Sequence, residues 1–118
     1  MPEDRPAPDG ARAVLLGERA RTVGQIASLA REFDDIVESA ELVATDDEHD
    51  PEGHTIAFER QQVAALLGDS RLRLVEIDQA IDRLDGGTYG TCERCGRPVA
   101  AERLAARPAT PTCVACAM

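Results

Sequence analysis

The cysteines of this chain stand as Cys92-x-x-Cys95, seventeen further residues, then Cys113-x-x-Cys116, and there are no others. A tetrahedral zinc ion takes four thiolates. A two-residue gap lets one tight turn present two sulfurs to the same ion, and the longer loop brings in the second pair. Gly96 directly follows Cys95, where a knuckle turn needs a residue free to adopt positive φ while backbone N–H groups point at sulfur. Two disulfides would use the same four residues, but the chain shows no secretory signal and disulfides are rare in the cytosol. Iron in a rubredoxin-like setting is a further alternative, since four thiolates also suit it. With four ligands supplied there is no open coordination position, so the metal is expected to hold structure rather than activate water.

Charge narrows the partners. The 118 residues carry 22 Asp and Glu against 13 basic residues, every one of them Arg, for a formal charge of −9. Nonspecific nucleic-acid binding needs clustered cations to displace counterions, so this balance favours protein partners. No stretch approaches a membrane-spanning run, and the N-terminus has no basic region followed by an apolar one. The expected location is the cytoplasm. Aromatic residues make up only 3% of the chain, so a large globular core is not expected.

The rest of the chain is patterned for helices. Residues 1–10, with three prolines and three acids, are expected to form a disordered tail. From Ala11 to Ala44, the apolar positions Leu16, Val23, Ile26, Ala30, Phe33, Val37, Ala40 and Ala44 follow helical spacing. A second run places Ile56, Val63, Leu67, Leu74, Ile77, Ile81 and Leu84 on a similar stripe, interrupted by Arg60 and Ser70. Gly68 should favour local fraying, and Gly86-Gly87 should end the helix with a left-handed cap. Between the runs, Asp50 reads as an N-cap and Pro51 as the first helical position. The expected fold is mainly α: a long antiparallel helical hairpin, or coiled coil, over residues 11–87, and a four-cysteine zinc-finger module over residues 88–118.

Glu32 to Glu52 contains ten acids and no Arg. On the helix these form a solvated face. In the connection, Asp46, Asp47, Glu48, Asp50 and Glu52 crowd a short segment, where mutual repulsion is relieved by solvent or by a basic partner. The spacing lacks the twelve-residue calcium-loop pattern, and His49 and His54 are too few to hold a second zinc alone. In the cysteine module Arg94, Arg97, Arg103 and Arg107 offset the −2 charge of a zinc tetrathiolate and can donate to sulfur or to backbone carbonyls.

Thr88-Tyr89-Gly90-Thr91-Cys92-Glu93-Arg94-Cys95-Gly96, then Arg103-Leu104-Ala105-Ala106-Arg107-Pro108, then Cys113-Val114-Ala115-Cys116 resemble the signatures of the DksA/TraR family of bacterial transcription regulators. The resemblance covers about residues 40–116. It implies one structural zinc on the four cysteines and a protein that binds RNA polymerase without chemistry of its own. Such a protein inserts its coiled-coil tip through the secondary channel and modulates initiation without binding promoter DNA. The family's tip carries Asp-x-x-Asp-x-Ala. The nearest match here is Asp47-Glu48-His49-Asp50-Pro51-Glu52, with Glu52 in place of alanine, so Asp46, Asp47, Asp50 and Glu52 are the candidate polymerase contacts. The resemblance also implies cooperation with guanosine tetraphosphate through basic residues near the zinc. Arg107 keeps that character, but Glu76 and Ala117 do not, so weak or absent dependence is expected, with the chain acting as a monomer. Two alternatives lie outside polymerase binding. One is a zinc-ribbon adaptor that dimerises through its hairpin, and the other is a zinc-thiol redox switch.

Overall fold

A computed structural model describes the backbone of residues 8–46 and 51–117, and the side chains of residues 10–42 and 55–117. Its elements in order are α1 (Pro8–Asp46), α2 (Pro51–Gly86), the short α3 (Ala101–Ala106) and a single 3₁₀ turn at Val114–Cys116. α1 begins inside the stretch expected to be a tail. Pro8 is tolerated at the first helical position because the N–H it lacks would have no partner there, and its φ is already set for a helix. α2 begins at Pro51 for the same reason, as the sequence indicates. Gly68 does not interrupt it.

α2 ends as its glycines require. Gly87 adopts φ +78, and its N–H donates to the Leu84 carbonyl at 3.3 Å while the Thr88 N–H donates to the Arg83 carbonyl at 2.9 Å. This pair of bonds is the Schellman arrangement, which satisfies carbonyls that the terminated helix would otherwise leave open. A side chain at residue 87 would sit in a backbone region costly to anything but glycine.

The described residues form two compact units. In the first, which contains residues 8–21 and 74–117, Leu15, Ile77 and Ala80 are fully buried, with Ile81, Leu84, Tyr89 and Ala109 packed around them. Arg12 pairs with Asp85 at 2.6 Å and Arg19 with Asp78 at 2.7 Å. A step of seven residues up α1 is matched by seven down α2, so the helices run antiparallel in a heptad register. In the second unit, residues 22–73, Leu29 packs with Val63 and Leu67, flanked by Ile26, Phe33 and Ile36.

The buried line of α1 differs from the expected one. Leu15, Thr22 and Leu29 are buried, whereas Leu16 and Val23 are 50% and 41% exposed. Two apolar lines of heptad spacing run side by side on this helix, offset by one residue, and periodicity alone does not choose between them. Arg12 and Arg19, two heptads and one heptad before Ile26, pair across to Asp85 and Asp78 and border the Leu15 line. On α2 the stripe runs as expected, with Val63, Leu67 and Ile77 buried. Ser70 continues this stripe as a buried polar member.

Truncating Ile77 to alanine removes a side chain with no exposed surface and should destabilise the fold by about 2–5 kcal/mol. Leu16→Ala, on the outer line, should stay within about 0.5 kcal/mol. Denaturant unfolding followed by helical circular dichroism measures both, and equal losses would contradict this assignment of the seam.

Candidate metal centre

The metal module is built on turns. Thr91 and Pro98 form an isolated antiparallel bridge. Inside it the Cys92 N–H donates to the Arg97 carbonyl at 2.8 Å and the Gly96 N–H to the Cys92 carbonyl at 2.9 Å. Those bonds fold Cys92–Cys95 into a knuckle, and Gly96 closes it at φ +77, as the sequence suggests. The second pair is presented by the 3₁₀ turn, in which the Cys116 N–H donates to the Cys113 carbonyl at 3.1 Å. Glu93 N–H donates to the Pro111 carbonyl at 2.9 Å and joins the knuckle to the segment that enters this turn.

The four sulfurs of Cys92, Cys95, Cys113 and Cys116 lie within 4.8 Å of one another. Cys95 Sγ and Cys113 Sγ are 3.8 Å apart, far beyond a disulfide bond of about 2.05 Å. A zinc tetrathiolate with bonds of about 2.3 Å has tetrahedron edges of about 3.8 Å. The donor set and its spacing therefore fit one structural zinc, and the ion would act as a cross-link between the two pairs. Cys92 is buried with Val99 and Leu104 in a small apolar cluster that Tyr89, Cys113 and Cys116 border, whereas Cys95 is exposed.

The thiols differ in acidity. Backbone N–H groups, first that of Cys113 and then those of Cys95 and Arg94, point at Cys92 and bring its pKa down to about 6 against the opposing effect of burial. Cys116 is pushed up to about 12, chiefly by hydrogen bonding to the Cys113 sulfur and then by burial. Thiolates are the metal-binding form. At neutral pH the Cys92 position favours the charged form while Cys116 holds its proton, so metal uptake must expel at least that proton.

Arginines brace this site through carbonyl oxygens. Arg94 donates to the Cys116 carbonyl at 3.1 Å and so reaches from the first pair to the second. Arg103 Nε donates to the Thr112 carbonyl at 2.9 Å, and its Nη2 to Thr110 Oγ1 at 3.1 Å. Arg97 and Arg107 are exposed. Sequence reasoning did not find three further supports. Tyr89 Oη donates to the Pro108 carbonyl at 2.8 Å, Arg83 Nη2 donates to the Ala109 carbonyl at 3.2 Å, and Thr110 Oγ1 donates to the Thr112 carbonyl at 3.2 Å. Burial raises the Tyr89 pKa, which keeps the phenol a donor. The available signal was Tyr89 itself, the chain's single tyrosine. Among the candidate tip residues, Asp47 and Asp50 lie outside the described residues, as do the side chains of Asp46 and Glu52.

Comparison with known proteins agrees with this geometry. Residues 87–118 match the family described as the prokaryotic dksA/traR C4-type zinc finger. An uncharacterised protein of Aquifex aeolicus is 50% identical over 44 residues, 37% of this chain and 30% of that protein. The RNA polymerase-binding transcription factor DksA of Caulobacter vibrioides is 46% identical over 41 residues, 34% of this chain and 29% of that protein. These sequence alignments span less than a third of either relative. The structure of transcription factor DksA2 from Pseudomonas aeruginosa superposes with a TM-score of 0.75 at 27% identity, covering 92% of this chain and 78% of that one. Residues 87–118 thus match a dksA/traR C4-type zinc finger, and the mainly helical fold is DksA-like.

Because protons compete with the metal for these thiols, affinity should fall as pH is lowered from 7.5 to 5.5. The thiolate-to-metal charge-transfer band of the cobalt-substituted protein should weaken over that interval. A band insensitive to pH would contradict the ligand set. Cys92→Ser should weaken zinc retention and loosen the apolar cluster around Val99 and Leu104, as read by metal analysis after dialysis and by thermal unfolding.

Proposed function

We propose that this protein is a transcription regulator that binds RNA polymerase directly, inserts the α1–α2 connection into the secondary channel and modulates initiation without binding promoter DNA. The observation that carries the reading is the joint occurrence of two parts: an antiparallel helix pair, and a C4 zinc module braced against the end of one of its helices. The overall fold is shared with a solved transcription factor over most of both chains, and the zinc module matches the dksA/traR C4-type finger. Either part alone is common to many functions.

In this reading the protein performs no bond-making chemistry. The zinc module holds the C-terminal end of α2, and the helices carry the acidic connection to its target. Asp46, Asp47, Asp50 and Glu52 are the residues proposed to act there, in the run of ten acids without Arg from Glu32 to Glu52. A concentrated negative charge of this kind is relieved by a basic or metal-bearing environment. The formal charge of −9 makes a protein surface the better partner than the phosphate backbone of DNA. Arg107, exposed on the module, is the proposed contact for a partner or for an anionic nucleotide. The presence of Glu76 and Ala117 supports weak dependence on guanosine tetraphosphate. The working form is proposed to be a cytoplasmic monomer.

Purified protein should retain core RNA polymerase in the absence of DNA and lose it to an excess of another factor that occupies the secondary channel. Asp47→Asn/Asp50→Asn should leave retention within about twofold while changing transcript yield in a purified initiation assay. Failure to retain polymerase would end the proposal, and unchanged yield would remove the two aspartates from it.

A further inference from the structure

Arg103 occupies a particular place in the module. Its neighbour on α3, Leu104, is buried in the cluster with Cys92 and Val99, so α3 is fixed to the first cysteine pair. Arg103 itself grips the segment entering the second pair, through the Thr112 carbonyl at 2.9 Å and Thr110 Oγ1 at 3.1 Å. Thr110 is buried, and its hydroxyl donates to the same Thr112 carbonyl. That oxygen thus has two donors, one of them charged, and charge-assisted bonds are the stronger kind.

The Thr112 carbonyl shares a peptide plane with the Cys113 N–H. The bond is trans, as are all the described peptide bonds, so the N–H points away from the carbonyl within a rigid plane. On that far side the plane leads into Cys113 itself, whose sulfur lies 3.8 Å from Cys95 Sγ within the ligand set. One plane therefore has its oxygen held by Arg103 and its nitrogen on the first ligand of the second pair. Turning the plane would loosen the grip on its oxygen and move the Cα from which the Cys113 thiol projects.

We propose that Arg103 is a positioning residue for the metal: by fixing the Thr112–Cys113 peptide it holds the Cys113 thiol in the ligand set and slows release of the ion. Hydrogen bonds to a ligand sulfur and to the groups that orient it commonly change metal affinity by about 10–100-fold. The effect belongs to the orientation of one peptide group, and it is independent of whether the chain engages polymerase.

The test uses the full-length zinc protein and three variants, Arg103→Ala, Arg103→Lys and Thr110→Val. Zinc transfer to a chromogenic chelator gives the release rate, and the Cys113 amide proton shift reports the orientation of that peptide. Arg103→Ala should accelerate transfer about tenfold or more and shift the Cys113 amide, with helical circular dichroism unchanged. Arg103→Lys keeps one charged donor and should fall between Ala and the parent in both readouts. Thr110→Val, which removes only the hydroxyl, should accelerate transfer by less than Arg103→Ala. If Arg103→Ala does not fold, Arg103→Lys decides. A release rate within twofold of the parent and an unmoved Cys113 amide in a folded Arg103 variant would overturn the proposal, and so would faster release without an amide shift.

Discussion

Four sulfurs from two segments seventeen residues apart must meet within 4.8 Å, and the C-terminal third of the molecule is arranged around that requirement. Like-charged thiolates at such distances repel strongly where water is partly excluded, so their assembly relies on a cation and on donors aimed at sulfur. The module has little else to hold it. Its apolar cluster amounts to Val99, Leu104 and the Cys92 side chain, and at about 1.5–3 kcal/mol for each large apolar side chain buried it does not by itself offset the ordering of some thirty residues. The ion takes the place of a hydrophobic core, as it commonly does in small metal-bound modules.

The segment between α3 and the second cysteine pair shows how the remaining order is obtained. It forms no regular ladder, yet three of its carbonyls are occupied by side chains from three places: Pro108 by Tyr89, Ala109 by Arg83 and Thr112 by Arg103. Backbone acceptors that a helix or sheet would satisfy are satisfied here by long donors reaching in. Pro108 is buried and Ala109 and Thr112 are half-buried, so those acceptors have limited access to water and leaving one unpaired would cost on the order of 1–3 kcal/mol. These contacts tie the loop to α2, to Tyr89 and to α3.

Much of this was legible in the sequence because it depends on residue type at fixed spacing. The cysteine pairs, the positive φ of Gly96, the Gly86-Gly87 stop, Pro51 at the start of α2 and the α2 stripe are of that kind. The α1 seam was not legible. Leu15–Thr22–Leu29 and Leu16–Val23–Ala30 have the same period, and the second line is the more apolar by composition. The true seam contains Thr22 and is bordered by Arg12 and Arg19, whose role appears only once Asp85 and Asp78 stand opposite. The contacts of Tyr89, Arg83 and Arg103 were hidden for a different reason. Their partners are backbone carbonyls, which every residue possesses, so no residue identity in the sequence marks where a donor will land. Arginine near the metal was foreseeable as a donor to carbonyls, but its target was not.

Arg83 and Tyr89 also bear on how the metal state reaches the helices. Arg83 lies in the last turn of α2, and Tyr89 follows the Gly87 cap by two residues. Both hold the segment that leads to Cys113, and both Tyr89 and Ala109 pack on the Leu15–Ile77–Ala80 cluster. The residues that terminate α2 are therefore also those that support the second cysteine pair. A change at the metal that frees the 108–112 segment would withdraw Tyr89 and Ala109 from the cluster shared by α1 and α2, reducing apolar burial where Leu15 and Ile77 now have no exposed surface. Loosening would begin at that end of the helix pair, because its packing includes side chains that the metal module itself supplies.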